Sequence, residues 1–142
     1  MYNLMIVGVG GQGTLLASRL LGYIMTEEGL DVKVSEVHGM SQRGGSVVTY
    51  VKAGKTVNSP IITEGEADII LAFEQLEAAR WIKYLKKDGK IILNTQKIMP
   101  MPVVTGNAKY PTEVIEKLNA TDAEIITLDA LSLANEAGSS KA

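Results

Sequence analysis

The spacing of apolar residues changes several times along the chain, and each change marks an element. Leu4-Met5-Ile6-Val7 is an unbroken apolar run that opens straight into Gly8-Val9-Gly10-Gly11-Gln12-Gly13. Such a run predicts a central strand covered on both faces. Leu16, Leu20, Tyr23 and Ile24 then fall at i, i+4, i+7 and i+8. That period predicts a helix packing through this stripe, with Gly29 as its C-terminal stop. Val32 to Val37 alternates as a second strand, a glycine-rich turn runs from His38 to Gly45, and a β-branched strand spans Ser46 to Lys52.

Further on, Pro60 and Gly65 break any period between Thr56 and Ala67. Asp68 to Phe73 reads as another buried strand. A helix follows with Ala78, Trp81, Ile82 and Leu85 on one face and Gly89 at its end, and Ile91-Ile92-Leu93 is the next strand. From Asn94 to Lys109, with Pro100 and Pro102, no helical period survives, and a loop of that length is expected to be functional or an edge extension. Pro111 opens a short helix to about Leu118, Ile125 to Leu128 forms a strand, and a helix begins at Ala130. Strands alternating with helices predict an α/β fold, a three-layer Rossmann-like domain with a mostly parallel sheet. Without internal repeats, residues 1–142 read as a single domain.

Composition then removes whole classes of function. No cysteine is present, which excludes disulfides, thiol nucleophiles and cysteine-ligated clusters within this chain. One histidine, His38, cannot build an all-nitrogen metal site. With a net charge of −2 and 5% aromatic residues, neither a basic field nor a set of stacking platforms exists for nucleic acid. No run approaches the ~20 apolar residues that span a bilayer. The expectation is a cytoplasmic chain that uses neither nucleic acid nor membrane.

Two glycine loops carry the candidate chemistry. Gly8-x-Gly10-x-x-Gly13 lies between a predicted strand and a predicted helix, the context of a dinucleotide fingerprint, and Glu36 is placed to act as the acidic ribose partner. A stand-alone Rossmann-type nucleotide-binding module is therefore one reading. Against it, Gly11 and Gln12 place an extra glycine and a polar side chain inside the loop, and no arrangement for hydride chemistry accompanies them. The second loop, Glu36-Val37-His38-Gly39-Met40-Ser41-Gln42-Arg43-Gly44-Gly45-Ser46, packs an acid, an imidazole, an amide and a guanidinium between glycines. It leaves the carboxyl end of its strand beside the first loop, where open α/β sheets bind ligands. Arg43 offers a planar fork for a carboxylate or phosphate.

Val7 to Gly13 together with Val34 to Ser46 resembles the gamma-type domain of 2-oxoacid:ferredoxin oxidoreductases, and within it the indolepyruvate branch. Ala67-Asp68, Phe73-Glu74-x-x-Glu77-Ala78-x-Arg80, Asn94-Thr95, Tyr110-Pro111 and Leu133 to Gly138 fit the same pattern. The resemblance implies a subunit that is inactive alone and binds no cofactor by itself. The complex converts a 2-oxoacid, here indolepyruvate or another aryl-pyruvate, with coenzyme A and oxidised ferredoxin into acyl-CoA, CO₂ and reduced ferredoxin. Thiamine diphosphate and the iron–sulfur clusters are expected on a larger catalytic subunit, the main partner, with ferredoxin reached through the complex. Family members continue past the point equivalent to Ala142, so the chain is expected to be truncated relative to the pattern.

Residue by residue, His38 has two readings, a strand-end histidine bonded to local backbone or a contributor to the partner's cleft. Arg43 is either an inter-subunit ion pair or an anion contact. Gly8, Gly10, Gly11, Gln12, Gly13, Gln42, Gly44 and Gly45 are candidates for cofactor contact, with Gln12 expected to bond across to the second loop. Glu74, Glu77 and Arg80, at i, i+3 and i+6, predict a solvated ion-pair face, with docking of the large subunit as the alternative. Met99-Pro100-Met101-Pro102 predicts an apolar contact strip.

Overall fold

The first apolar run becomes β1 (Tyr2–Val9), in which Met5, Ile6 and Val7 lose all contact with solvent. The computed structural model describes residues 1–38 and 44–139. Beside β1 stand β2 (Asp31–His38), β3 (Ser46–Gly54), β4 (Ala67–Ala72), β5 (Leu85–Asn94) and β6 (Glu124–Leu128), in one sheet of order β2-β3-β1-β4-β5-β6. β1, β4, β5 and β6 pair in parallel, whereas β3 runs antiparallel to both β1 and β2. All strands but β3 therefore point the same way, and the mostly parallel α/β sheet is as predicted. β3 is reversed because only a short glycine-rich connection separates it from β2, and parallel neighbours need a crossover of a dozen or more residues.

Among the described residues, five α-helices accompany the sheet: α1 (Thr14–Glu27), α2 (Gln75–Trp81), α3 (Met101–Val104), α4 (Val114–Asn119) and α5 (Ala130–Glu136). α1 lies over β1, β2 and β3 on one face, and its core joins Leu4, Ile6 and Val51 to Ala17, Leu21 and Met25. α2 and α4 lie on the other face, over a larger core that includes Met5, Val7, Ile70, Ile91, Leu93 and Leu118. Chain leaving β1 moves to one side of the sheet and chain leaving β4 to the other. Right-handed crossovers put the two sets of helices on opposite faces. Each fully buried Ile or Leu contributes roughly 1.5–3 kcal/mol.

Several local expectations are corrected. The stripe Leu16, Leu20, Tyr23, Ile24 does not face the sheet; Leu16 is 73% exposed and Tyr23 65%. Thr14, Ala17, Ser18, Leu21 and Met25 pack inward instead, and small Ala17 and Ser18 let the helix approach the strands closely. α2 ends at Trp81, a 3-10 turn follows, and Leu85 already belongs to β5. Gly89 is likewise inside β5 rather than at a helix end, where the register shifts between the Ala67–Leu85 and Ile69–Lys90 pairs. Finally, the proline-rich stretch holds a one-turn helix, α3, with Pro102 in its first turn, where no N–H is needed. α4 starts at Val114, not at Pro111.

Candidate functional site

At the carboxyl end of β1 the chain turns tightly, the Gln12 N–H donating to the Val9 carbonyl at 3.1 Å. Gln12 closes the same turn from its side chain, where Oε1 accepts the Val9 N–H at 2.7 Å. Gly13 sits at φ 85°, in the left-handed region, and occupies the N-cap of α1 without any side-chain hydrogen bond to the first turn. The opening amides of α1 thus have no capping side chain. Gly8 is required for a different reason: a Cβ there would lie 2.9 Å from Gln12 Oε1 and 3.1 Å from Phe73 Cβ.

The two glycine loops meet through their main chains. The Gly10 N–H donates to the Gly45 carbonyl at 2.9 Å, and the Gly44 N–H to the Gly10 carbonyl at 3.5 Å. Strand register brings Ser46 opposite Val9 and His38 opposite Val47, so His38 and Gly10 share one rim. A cavity of about 310 Å³ opens there, lined by Gly10, Gly11, Gly13, Thr14, Glu36 and His38 among others. One wall carries the start of α1, with the positive end of its dipole, and the other the Glu36 carboxylate. Gln42 and Arg43 lie outside the described residues.

Among the described residues, Gln12 is bonded to its own turn and to the β4 side; residues 39–43 of the second loop, to which it was expected to bond, lie outside them. Its Nε2 donates to the Phe73 carbonyl at 2.9 Å and to Gln96 Oε1 at 3.0 Å. The amide group thus faces the β4 side. It fills the crevice between the ends of β1 and β4, where the chain departs in opposite directions and doubly wound sheets bind nucleotides. Asn94 Nδ2 donates to the same Phe73 carbonyl at 3.1 Å, and Gln75 Nε2 donates to the Thr95 carbonyl at 2.5 Å. Gln96 carried no sequence signal. The signal for Asn94 was its place at a strand end on the same rim.

Glu74 and Glu77 form no solvated face: they are 1% and 4% exposed. Glu74 caps α2, accepting the Glu77 N–H at 3.0 Å, the Ile98 N–H at 3.2 Å and the Tyr110 hydroxyl. The Tyr110 oxygen in turn accepts the Leu76 N–H at 3.1 Å. Burial, reinforced by its hydrogen bond to Glu74, pushes the Tyr110 hydroxyl well above the usual tyrosine range. Glu77 accepts from the Ser46 hydroxyl at 2.5 Å and from Arg80 Nε at 3.3 Å. Only Arg80 of the three reaches solvent substantially. This carboxylate therefore braces the strand that leaves the second glycine loop. Among the described residues, no group of three or more acidic or histidine side chains is placed to hold a metal ion. No helix there is long and apolar enough to cross a membrane.

Residues 3–142 match the family model described as pyruvate ferredoxin/flavodoxin oxidoreductase. The chain belongs to that family. It is 48% identical over 140 residues to the indolepyruvate oxidoreductase subunit IorB of Thermococcus kodakarensis, covering 96% of this chain and 69% of that one. Likeness to the pyruvate/ketoisovalerate oxidoreductases common subunit gamma of Pyrococcus abyssi falls to 28% over 141 residues, covering 96% and 68%. The fold matches pyruvate oxidoreductase subunit PORC of Thermotoga maritima with a TM-score of 0.69, at 18% identity, over 95% of this chain and 65% of that one. Within the family the chain thus lies nearer the indolepyruvate subunits than the gamma subunits, and it spans about two thirds of the length of each.

Proposed function

We propose that the chain is a subunit of a 2-oxoacid:ferredoxin oxidoreductase acting on indolepyruvate or a related aryl-pyruvate, and that its glycine-loop rim completes a cleft of the larger subunit. The reaction is oxidative decarboxylation: the 2-oxoacid, coenzyme A and oxidised ferredoxin give acyl-CoA, CO₂ and reduced ferredoxin. Identity of 48% to an indolepyruvate oxidoreductase subunit supports the substrate class. Cysteine ligation of iron–sulfur clusters does not fit a chain without cysteine, so electron transfer is assigned to the partner. Thiamine diphosphate, which supplies the carbanion chemistry of decarboxylation, is assigned there too.

The observation that carries the reading is the joined pair of loops at one rim, with His38 and Glu36 facing the uncapped start of α1. These residues contribute shape and charge to a pocket and no redox group. His38, Gly10, Gly11, Gly13, Gly44 and Gly45 line or build that rim, and Arg43 and Gln42 belong to the loop it holds. Reconstitution tests the proposal. Neither polypeptide alone reduces viologen when given a 2-oxoacid and coenzyme A, and the two together do. Oxidation of substrate by this chain alone, or failure to form a complex, contradicts it.

The second reading, a stand-alone nucleotide-binding module using Gly8, Gly10, Gly13 and Glu36, meets an obstacle in Gln12, which fills the crevice a pyrophosphate needs. Titration calorimetry of the isolated chain with NAD, NADP, FAD and coenzyme A separates the two. Micromolar binding of NAD or FAD favours the module.

A further inference from the structure

The outward face of α1 is apolar where a surface helix normally carries charge. Thr14, Ala17, Ser18, Leu21 and Met25 pack against the strands. At 100° per residue Leu16, Leu20 and Tyr23 fall opposite them, within an arc of about 60°. All three are exposed, Leu20 at 59%. Spaced at i, i+4 and i+7, they form one contiguous patch, the kind of surface that marks a contact with another protein.

Two charges border this patch, Arg19 and Glu27, and both are exposed. Neither makes an ion pair or a side-chain hydrogen bond among the described residues. They bracket Tyr23 evenly, each four residues away, about 6 Å along the axis and about 40° around it, on opposite sides. That placement is self-complementary. A two-fold axis beside Tyr23 sets a second α1 antiparallel to the first, with the same patch used by both copies. Arg19 of each copy then lies level with Glu27 of the other, and the apolar side chains of the two patches face one another. A parallel pair would instead set Arg19 against Arg19 and Glu27 against Glu27. The antiparallel arrangement also carries the two glycine-loop rims to opposite ends. Thr14 of one copy then lies roughly 27 Å along the axes from Thr14 of the other, so neither rim is covered.

We propose that the outward face of α1 is an interface between two copies of this chain, formed about a two-fold axis at Tyr23. One helix face per copy is small beside the roughly 800 Å² per partner of a standard interface, so the dimer is weak, with a Kd on the order of 10–100 μM. This inference is independent of the reaction proposed above, because its test needs no turnover.

Sedimentation equilibrium of the isolated, full-length subunit, over concentrations spanning that Kd, is the test. Arg19→Glu sets like charges level at both ends of the interface, and Glu27→Arg does the same with the opposite sign. Each variant, shown by circular dichroism to be folded, is expected to raise Kd at least about tenfold. An equimolar mixture of the two is expected to associate about as tightly as the unaltered chain, because each interface again holds two opposite-charge pairs. A chain that stays monomeric throughout overturns the proposal. So does a dimer that Arg19→Glu leaves unweakened, which places the contact elsewhere, and so does a mixture no tighter than either variant alone. Loss of binding to the larger subunit in Arg19→Glu, with the isolated chain monomeric, assigns the face to that partner and overturns it as well.

Discussion

The two faces of the sheet solve one problem differently. Over β4 and β5, α2 and α4 bury Ile70, Ile91 and Leu93 completely, and a side-chain network around Glu74, Glu77 and Tyr110 locks the loops above them. On the opposite face α1 covers β1 to β3, and apolar residues of the outer strands stay partly open. A closed face stabilises the domain by itself, whereas the open one leaves apolar strand residues such as Ile126 partly in contact with solvent. The glycine loops follow neither pattern: backbone pairs between Gly10, Gly44 and Gly45 join them.

The largest contrast is expected in the cores. Leu93→Ala on the closed face is predicted to cost about 2–5 kcal/mol in urea unfolding. Removing the Glu74 carboxylate by Glu74→Ala strands two backbone N–H groups and the Tyr110 hydroxyl, with an expected loss of about 1–3 kcal/mol by the same measurement. Gly13→Ala forces a Cβ into the left-handed region at φ 85° and is expected to cost about 1–2 kcal/mol. Least affected is Ile126→Ala on the open face, within about 0.5 kcal/mol in the 142-residue chain. A loss at Ile126 equal to that at Leu93 would erase the distinction between the faces.

The Tyr110 network also predicts a pH dependence. Its folded pKa is raised above the ordinary value of 10.0, first by burial and then by Glu74. Between those values the folded state holds a proton that the unfolded state has lost. Stability conferred by the neutral hydroxyl is therefore complete below pH 10 and is lost as pH rises above it. Tyr110→Phe is predicted to lower stability by about 1 kcal/mol at neutral pH and to flatten its decline in alkaline solution, followed by thermal melts.

Much of the fold was legible because continuous apolar runs such as Leu4–Val7 and Asp68–Phe73 have few alternatives to a covered strand. The direction of α1 was not. Its sequence carries an apolar arc wider than one face, and the larger side chains, Leu16, Leu20, Tyr23 and Ile24, drew the prediction away from the small ones that pack. Likewise, spacing gave Glu74 and Glu77 a helix face but not its burial, which depends on Ser46 and Tyr110, 31 and 36 residues away in sequence. The rim shared by Gly10 and His38 was readable, since two strand ends pointing the same way must meet. The bonds of Gln12 to the Phe73 carbonyl and to Gln96, 61 and 84 residues away, were not readable, because no local pattern reveals such distant partners.

Hydrogen exchange on the chain with and without the larger subunit addresses the shared rim most directly. The amides of Gly10 to Leu15 and of Gly44 to Val48 are predicted to slow together when the complex forms. Unchanged exchange at both loops, with protection confined to other surfaces, would contradict a rim that completes the partner's cleft.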